Sequence, residues 1–520
     1  MPSTRAPAAV SAPAARQNLI LVVTCLALGT VVAAMASLNV ALPDLARETH
    51  ATQTQLSWII DSYSLVFASL LLPAGALGDR FGRRRALLAG LTLFGAGSAA
   101  AALTTEPSTL IALRGVLGVG AALVMPATLS TITSTFPRAQ RARAVSVWAA
   151  VAGAGALVGL FATGALLEGW SWRSVFLLNV ALALIALVGT LLFVPESAEP
   201  KQPRLDVGGA LLAVVGLVAL VYSVIEAPTR GWADPVTLAG IGLGLAVLIG
   251  FVLFELRREN PLLDPRLFRN PHFAAGSLSI MLQFFVFFGF IFVMMQYLQL
   301  VRGDSALMAA TAMLPMAVTM VPVSRAAPVL VARFGFRGPW VAGLVGVAAG
   351  MGVLAQLDSS SPYWLIATGL VPLGAGMGLA MTPATTSITD ALPRSLQNVG
   401  SAMNDLAREL GGALGIAVLG SLLSAAYRDH LSLPGLPDHV ADAARSSLAA
   451  AHAIGGPVSG RATTAFIDGM HLALLGAAAA ALLAALAVAL LLRSAPRPEQ
   501  AADDHEEPRP VDTEKQPSYL

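Results

Sequence analysis

Cysteine is almost missing from this chain: Cys25 stands alone among 520 residues, so no intrachain disulfide can form. Lysine occurs only at Lys201 and Lys515, and abundant alanine with arginine in its place points to a GC-rich bacterial genome. Charged residues make up 12% of the chain, about half the share carried by soluble globular domains. That scarcity excludes an ordinary soluble protein. The net charge of +2 is spread as arginines over many short segments, so nothing marks a nucleic-acid partner. No H-E-x-x-H and no G-x-S-x-G is present, so the motif signatures of a membrane-embedded hydrolase are lacking and no enzymatic activity is expected.

The remainder is apolar. Residues of hydrophobic type make up 56%, and the mean hydropathy is +0.72. At about 20 apolar residues per crossing, membrane helices are expected near 18–42, 56–77, 86–105, 109–132, 142–166, 173–194, 205–226, 235–255, 272–298, 306–330, 338–356, 363–388, 400–427 and 465–492. This is an all-α integral membrane protein with fourteen expected spans and the lipid bilayer as its surroundings. Roughly 22 of the 32 Lys and Arg fall in the two tails and the even-to-odd loops, against roughly 7 in the opposite loops. Both termini are therefore expected in the cytoplasm of a bacterial inner membrane. Residues 1–17 and 495–520, rich in Ala, Pro and charge, read as disordered cytoplasmic tails, and the first is no cleaved signal peptide. The one long outside loop, 427–464, holds Pro, Gly and His residues and room for a short hairpin.

An internal echo organises the spans. Leu110-Ile111-Ala112-Leu113-Arg114 through Met125-Pro126-Ala127-Thr128 resembles Leu365-Ile366-Ala367-Thr368-Gly369 through Thr382-Pro383-Ala384-Thr385, and Arg80-Phe81-Gly82 recurs as Arg333-Phe334-Gly335. The offset of eight helices implies a 6+2+6 order. That places a six-helix half at 18–198, a two-helix insert at 199–258 and a second half at 259–494.

The densest motif is Gly75-Ala76-Leu77-Gly78-Asp79-Arg80-Phe81-Gly82-Arg83-Arg84-Arg85, a short basic turn between two spans. In this setting it resembles the loop between helices 2 and 3 of the major facilitator superfamily. Asn39-Val40-Ala41-Leu42-Pro43, Trp58-Ile59-Ile60-Asp61-Ser62-Tyr63, Arg114 followed by Gly118, Gly120 and Ala121, the glycines Gly155, Gly159 and Gly164, and Gly411-Gly412-Ala413-Leu414-Gly415 resemble the fourteen-helix drug:proton antiporter branch of that family. The likeness covers about residues 20 to 490. It departs at Ala34, where the branch usually carries Asp, at Leu160 and Thr163 in the helix 5 motif, and at Leu117 in helix 4.

The resemblance implies proton-driven export of lipophilic or cationic small molecules by alternating access. It implies no cofactor, a proton gradient as energy source, protons as co-substrate and a monomer. A dedicated exporter of one metabolite or self-made antibiotic is the alternative. It also implies that Asp79, Arg80 and Arg83, with Gly75 and Gly82, gate the cytoplasmic end through the start of helix 13, and that the helix 5 glycines pack against a counterpart helix across the symmetry axis.

An ionisable group in hydrocarbon costs roughly 2.5–3.5 kcal/mol on insertion scales, so each one asks for a reason. Asp61 and Arg114 are expected at one depth, facing each other, as a proton site or as a permanent ion pair. Asp405 and Glu409 share one face of helix 13 beside Arg408, as a second proton site or a solvated gate. Arg325 and Asp390 are weaker candidates, and Glu226 reads as interfacial. For the cargo, Trp58, Tyr63, Phe284, Phe288, Phe292 and Met295 offer stacking and soft contacts. The rings of helix 9 point all round, so most are expected to face lipid.

Overall fold

A computed structural model describes residues 14–197, 206–259, 261–392, 397–434 and 436–493. Both expected tails lie essentially outside the described residues. Among those described, helices account for nearly everything. The first group is α1 (Ala14–Thr49), α2 (Gln53–Phe81), α3 (Arg83–Leu103), α4 (Pro107–Thr135), α5 (Arg138–Leu167) and α6 (Arg173–Phe193). A hairpin follows, α7 (Val207–Arg230) and α8 (Pro235–Glu255), and then α9 (Pro271–Gln296), continued by a wider turn over Tyr297–Val301. The remaining helices are α10 (Ala306–Ala312), α11 (Leu314–Phe334), α12 (Arg337–Leu354), α13 (Tyr363–Asp390), α14 (Gln397–His430), α15 (Asp438–Ser446), α16 (Leu448–Ile454) and α17 (Gly456–Leu491).

Thirteen helices among the described residues are long and apolar enough to cross a membrane. The chain is a multi-pass membrane protein. α5 carries Arg138, Arg141 and Arg143 in its first turns, and from Ala144 to Leu167 its sequence holds no charged residue.

Helix ends follow local chemistry. Thr52 caps α2 by accepting from the Gln55 amide, and the Gln55 side chain accepts in return from the Thr52 amide. Glu106 caps α4, accepting from the Thr109 amide at 2.7 Å and from the hydroxyls of Ser108 and Thr109. Those bonds lower its carboxyl to about 2. Several helices outrun the apolar stretch. α1 continues through Pro43 to Thr49, because neighbouring helices tolerate a proline in a membrane bundle. The expected span at 306–330 breaks at Met313, just before Pro315, into α10 and α11. The expected loop 427–464 is mostly helical: α14 reaches His430, α17 starts at Gly456, and α15 and α16 fill the interval.

Packing repeats itself along the chain. In the first group α4 packs on α2 and α3, α5 on α1 and α6 on α3; later α13 packs on α11 and α12, α14 on α9 and α17 on α12. Glycines permit the closest crossings. A Cβ at Gly120 would stand 2.8 Å from the Gly90 carbonyl oxygen, and one at Gly376 would stand 2.4 Å from that of Gly343. The hairpin α7–α8 lies outside both sets, with α7 seated on α2 and α14. The Ser421 hydroxyl of α14 donates to the Val224 carbonyl of α7 at 2.7 Å.

Candidate functional site

The end of the bundle carrying Asp79 to Arg85 is tied to the end of α6. Gly82 closes α2 and opens α3 at φ +121°, a backbone region that L residues avoid, and a Cβ there would stand 2.5 Å from the Glu196 carboxylate. The Arg84 amide donates to Glu196, its guanidinium donates to the Leu191 carbonyl at 2.7 Å, and the Arg83 amide donates to Ser197. Arg83 Nε donates to Asp79 at 2.7 Å. Arg80 is exposed, its guanidinium over the Phe81 ring. Gly75 lies against Pro126 of α4. Among the described residues the Asp79 carboxylate bonds Arg83 and makes no hydrogen bond or ion pair with the start of helix 13, which is α14. The glutamate anchor was missed in the sequence, although a lone acid just after a span, opposite three arginines, is a readable signal.

At the opposite end several contacts join early and late helices. Gln299 donates to the Val40 carbonyl of α1 at 2.8 Å. The Leu307 amide donates to Glu168, and the α15–α16 hairpin sets Ser447, Leu448 and Ala449 over Leu42, Pro43 and Gln53. His452 of this hairpin bonds Thr463, and burial with nearby Arg47 holds its imidazole below the usual range.

The helix 5 glycines divide their work. Gly155 and Gly159 face α1, not a helix of the other set: a Cβ at Gly159 would stand 2.6 Å from the Ala33 carbonyl oxygen and one at Gly155 3.1 Å from Val32. Gly164 alone crosses over, against Ala306 and Leu307 at the start of α10. Ala34, buried on α1, occupies the position where an acid was expected.

The pairing of Asp61 with Arg114 does not form. Arg114 is buried, donates from Nε to the Ile59 carbonyl at 2.8 Å and lies 4.4 Å from the centre of the Tyr63 ring. Ile59 and Tyr63 share one face of α2, whereas Asp61 lies two residues from each and so points away. Its neighbours one turn away face the inserted hairpin: Trp58 donates from Nε1 to Glu226 at 3.1 Å and packs on Tyr222, while Leu65 packs with Val221, Ile225 and Ala417. Asp61 is fully buried, and among the described residues neither of its carboxylate oxygens has a hydrogen-bond partner. It sits where α2, α7 and α14 meet.

Tyr63 takes the place expected for Asp61. Its hydroxyl donates to the Val31 carbonyl of α1 at 3.0 Å, and it lies within electrostatic range of both Arg114 and Glu409. Glu409 is buried on α14 with Oε2 unpartnered, and Asp405, one turn earlier, is half-buried. Arg408 stacks over Phe284 at 5.1 Å. One cluster thus spans the two helix sets: Tyr63 and Arg114 from the first, Asp405, Arg408 and Glu409 from the second. Arg325 and Asp390 are exposed away from it.

The helix 9 rings are buried to a degree the sequence reading did not expect. Phe288, Phe290, Phe292 and Met295 are all within the bundle, because α9 is surrounded by α1, α13, α14 and α17. Phe287 and Phe288 line a closed apolar pocket with Ala36, Leu160, Met313 and Met316. At about 10 Å³ it holds one water at most. Phe292 packs on Gly420, and Trp58 faces α7 and not this pocket.

A lipid-embedded bundle of two similarly packed helix sets, with buried acids and arginines where they meet, is the architecture of a membrane transporter. The pattern of the Major Facilitator Superfamily matches residues 24–416, and the chain belongs to that family. It is similar to the multidrug resistance protein Stp of Mycobacterium tuberculosis, 36% identical over 79% of this chain and 76% of the relative. It is also similar to the methyl viologen resistance protein SmvA of Salmonella typhimurium (36%, 92% and 97% covered) and to the tetracenomycin C resistance and export protein of Streptomyces glaucescens (32%, 92% of each). Among solved structures, a bacterial homologue of the human lysosomal transporter Spinster, crystallised inward-facing and occupied, shares the fold with a TM-score of 0.66 at 18% identity, over 93% of this chain and 98% of that one.

Proposed function

We propose that this protein exports lipophilic or cationic compounds from a bacterial cell across its inner membrane in exchange for protons, by alternating access, as a monomer without a cofactor. The chain crosses the membrane fourteen times in this reading, α5 included, with both termini and the Asp79–Arg85 turn in the cytoplasm. The observation that carries it is Glu409, a buried acid with an unpartnered oxygen, within electrostatic range of Tyr63 where the two helix sets meet. A carboxyl group in such a place exists neutral at low cost or ionised only with a compensating charge. A bound cation supplies that charge and expels the proton; its departure outward lets a proton return. Asp61 is the second proton-binding group, at the seam with the insert.

Lipophilic cargo fits between Phe287, Phe288 and Met316 once the pocket opens. The names of relatives support both a broad and a dedicated cargo: multidrug and methyl viologen resistance on one side, tetracenomycin C export on the other. Drug-stimulated proton release from everted vesicles tests the proposal. Wild type releases protons on drug addition, and Glu409→Gln and Asp61→Asn release at least several-fold fewer. Equal release from all three removes the assigned coupling groups.

A further inference from the structure

The inserted hairpin carries a feature that the transport cycle leaves unused. Between α7 and α8 runs a groove of about 400 Å³, far larger than the closed central pocket. Its floor is apolar, formed by Val214, Val215, Val218, Ala219 and Val236. Val215, Val218 and Tyr222 are exposed on the outside of the bundle, where lipid lies. At one end the lining turns polar, with Tyr222, Glu226 and Arg230.

That rim is a pair of opposite charges held apart from full neutralisation. Arg230 Nε lies 3.9 Å from Glu226 Oε2, beyond hydrogen-bond length, while its Nη2 donates to the Tyr222 hydroxyl at 2.9 Å and 40% of the side chain remains exposed. Glu226 accepts from Trp58 with its other oxygen and keeps 22% exposed. Trp232, beside this rim, is exposed. Aromatic rings around a charged pair at a helix end mark the headgroup level of a bilayer.

Length agrees. From Val214 to Arg230 α7 rises about 24 Å, at about 1.5 Å per residue. One leaflet, with about 15 Å of hydrocarbon and roughly 5–7 Å of headgroup, is nearly that deep. An acyl chain fits the apolar floor while the headgroup meets the rim.

We propose that this groove is a binding site for a zwitterionic aminophospholipid, its phosphate on Arg230, its ammonium on Glu226 and one acyl chain along Val214 to Val218. Charge complementarity selects this occupant. An anionic headgroup would meet the Glu226 carboxylate uncompensated, and a lipophilic cation would meet Arg230. Through the Trp58 bond the bound lipid fastens the insert to α2.

Native mass spectrometry of the purified full-length protein, with phosphatidylethanolamine or phosphatidylglycerol added at equal concentration, tests the site. The expected result is one phosphatidylethanolamine retained per chain, with phosphatidylglycerol retained at least fivefold less. Arg230→Gln and Glu226→Gln each lower phosphatidylethanolamine retention at least fivefold. Val215 is exposed, so Val215→Trp fills the groove from its open side without disturbing the helix packing and should abolish retention. Equal retention of the two lipids, or retention unchanged in Val215→Trp, overturns the proposal. Displacement of the lipid by tetraphenylphosphonium, with tighter binding of that cation in Arg230→Gln, would overturn it in favour of a cargo site. Size-exclusion profiles matching wild type show that each variant tested is folded.

Discussion

The guanidinium of Arg114 lies 4.4 Å from the centre of the Tyr63 ring while its Nε donates to the Ile59 carbonyl one turn away. An arginine buried in a bilayer is thus held by a backbone oxygen and a ring face, not by a carboxylate. Its Nη2 is unpartnered among the described residues.

Tyr63→Phe separates the ring from its hydroxyl. The ring face under Arg114 survives, but the bond to Val31 is lost. A stability loss of about 1 kcal/mol is expected, the net worth of one hydrogen bond, seen as a small drop in the thermal midpoint. Tyr63→Ala also strips the ring from Arg114 and should cost about 3 kcal/mol or more, together with most transport. Thermal unfolding in detergent and efflux in whole cells measure the two effects.

Gly159→Ala forces a methyl to within 2.6 Å of the Ala33 carbonyl oxygen. Backbone cannot yield as a side-chain tip does, so α1 and α5 must separate. A cost of about 1–3 kcal/mol follows from overpacking. The same change at Gly155 meets a side chain and not backbone, Val32 at 3.1 Å, and should cost less. Comparing the two thermal midpoints checks the order.

These contacts show what was readable beforehand. Hydropathy located helices long and apolar enough to cross a membrane, thirteen among the described residues, and the echo between Arg114 and Thr368 neighbourhoods marked helices whose packing does recur as α4 on α2 and α3, then α13 on α11 and α12. Facing was harder. The sequence sets Asp61 and Arg114 face to face, but Arg114 bonds the Ile59 carbonyl and a two-residue step along α2 turns Asp61 toward α7. The aromatic run of α9 reads as lipid-facing because its rings circle the helix, yet α1, α13, α14 and α17 pack around it. Which helix covers which face depends on contacts between residues far apart in the chain, and periodicity within one helix carries no information on that.

Gly82→Ala places a Cβ in a left-handed backbone region and against the Glu196 carboxylate at once. A cost of about 1–3 kcal/mol is expected from the strain. Glu196→Ala removes the clash but also the hydrogen bond from the Arg84 amide and the ion pair with Arg85 at 3.6 Å, so the double variant should not recover wild-type stability. Thermal midpoints of the two single variants and the double variant test this.

His452 gives the α15–α16 hairpin a pH dependence. Its folded pKa lies below the unfolded value of about 6.5, so the native hairpin binds fewer protons. Its contribution to stability is complete above about pH 6.5 and falls as the pH drops through that value toward the lower folded pKa. The protection of amides 444–454 relative to their intrinsic exchange rates should therefore fall between pH 7.5 and pH 5.5 in wild type and change much less in His452→Gln. An equal loss of protection in both would assign the effect to another group.

Purified protein in liposomes, loaded with a lipophilic cation and given a pH gradient of either sign or none, tests exchange most directly. Drug movement should follow the imposed gradient in wild type, and Glu409→Gln should move drug at a rate indifferent to it. Wild-type transport that continues unchanged with the gradient collapsed would contradict exchange of protons for cargo.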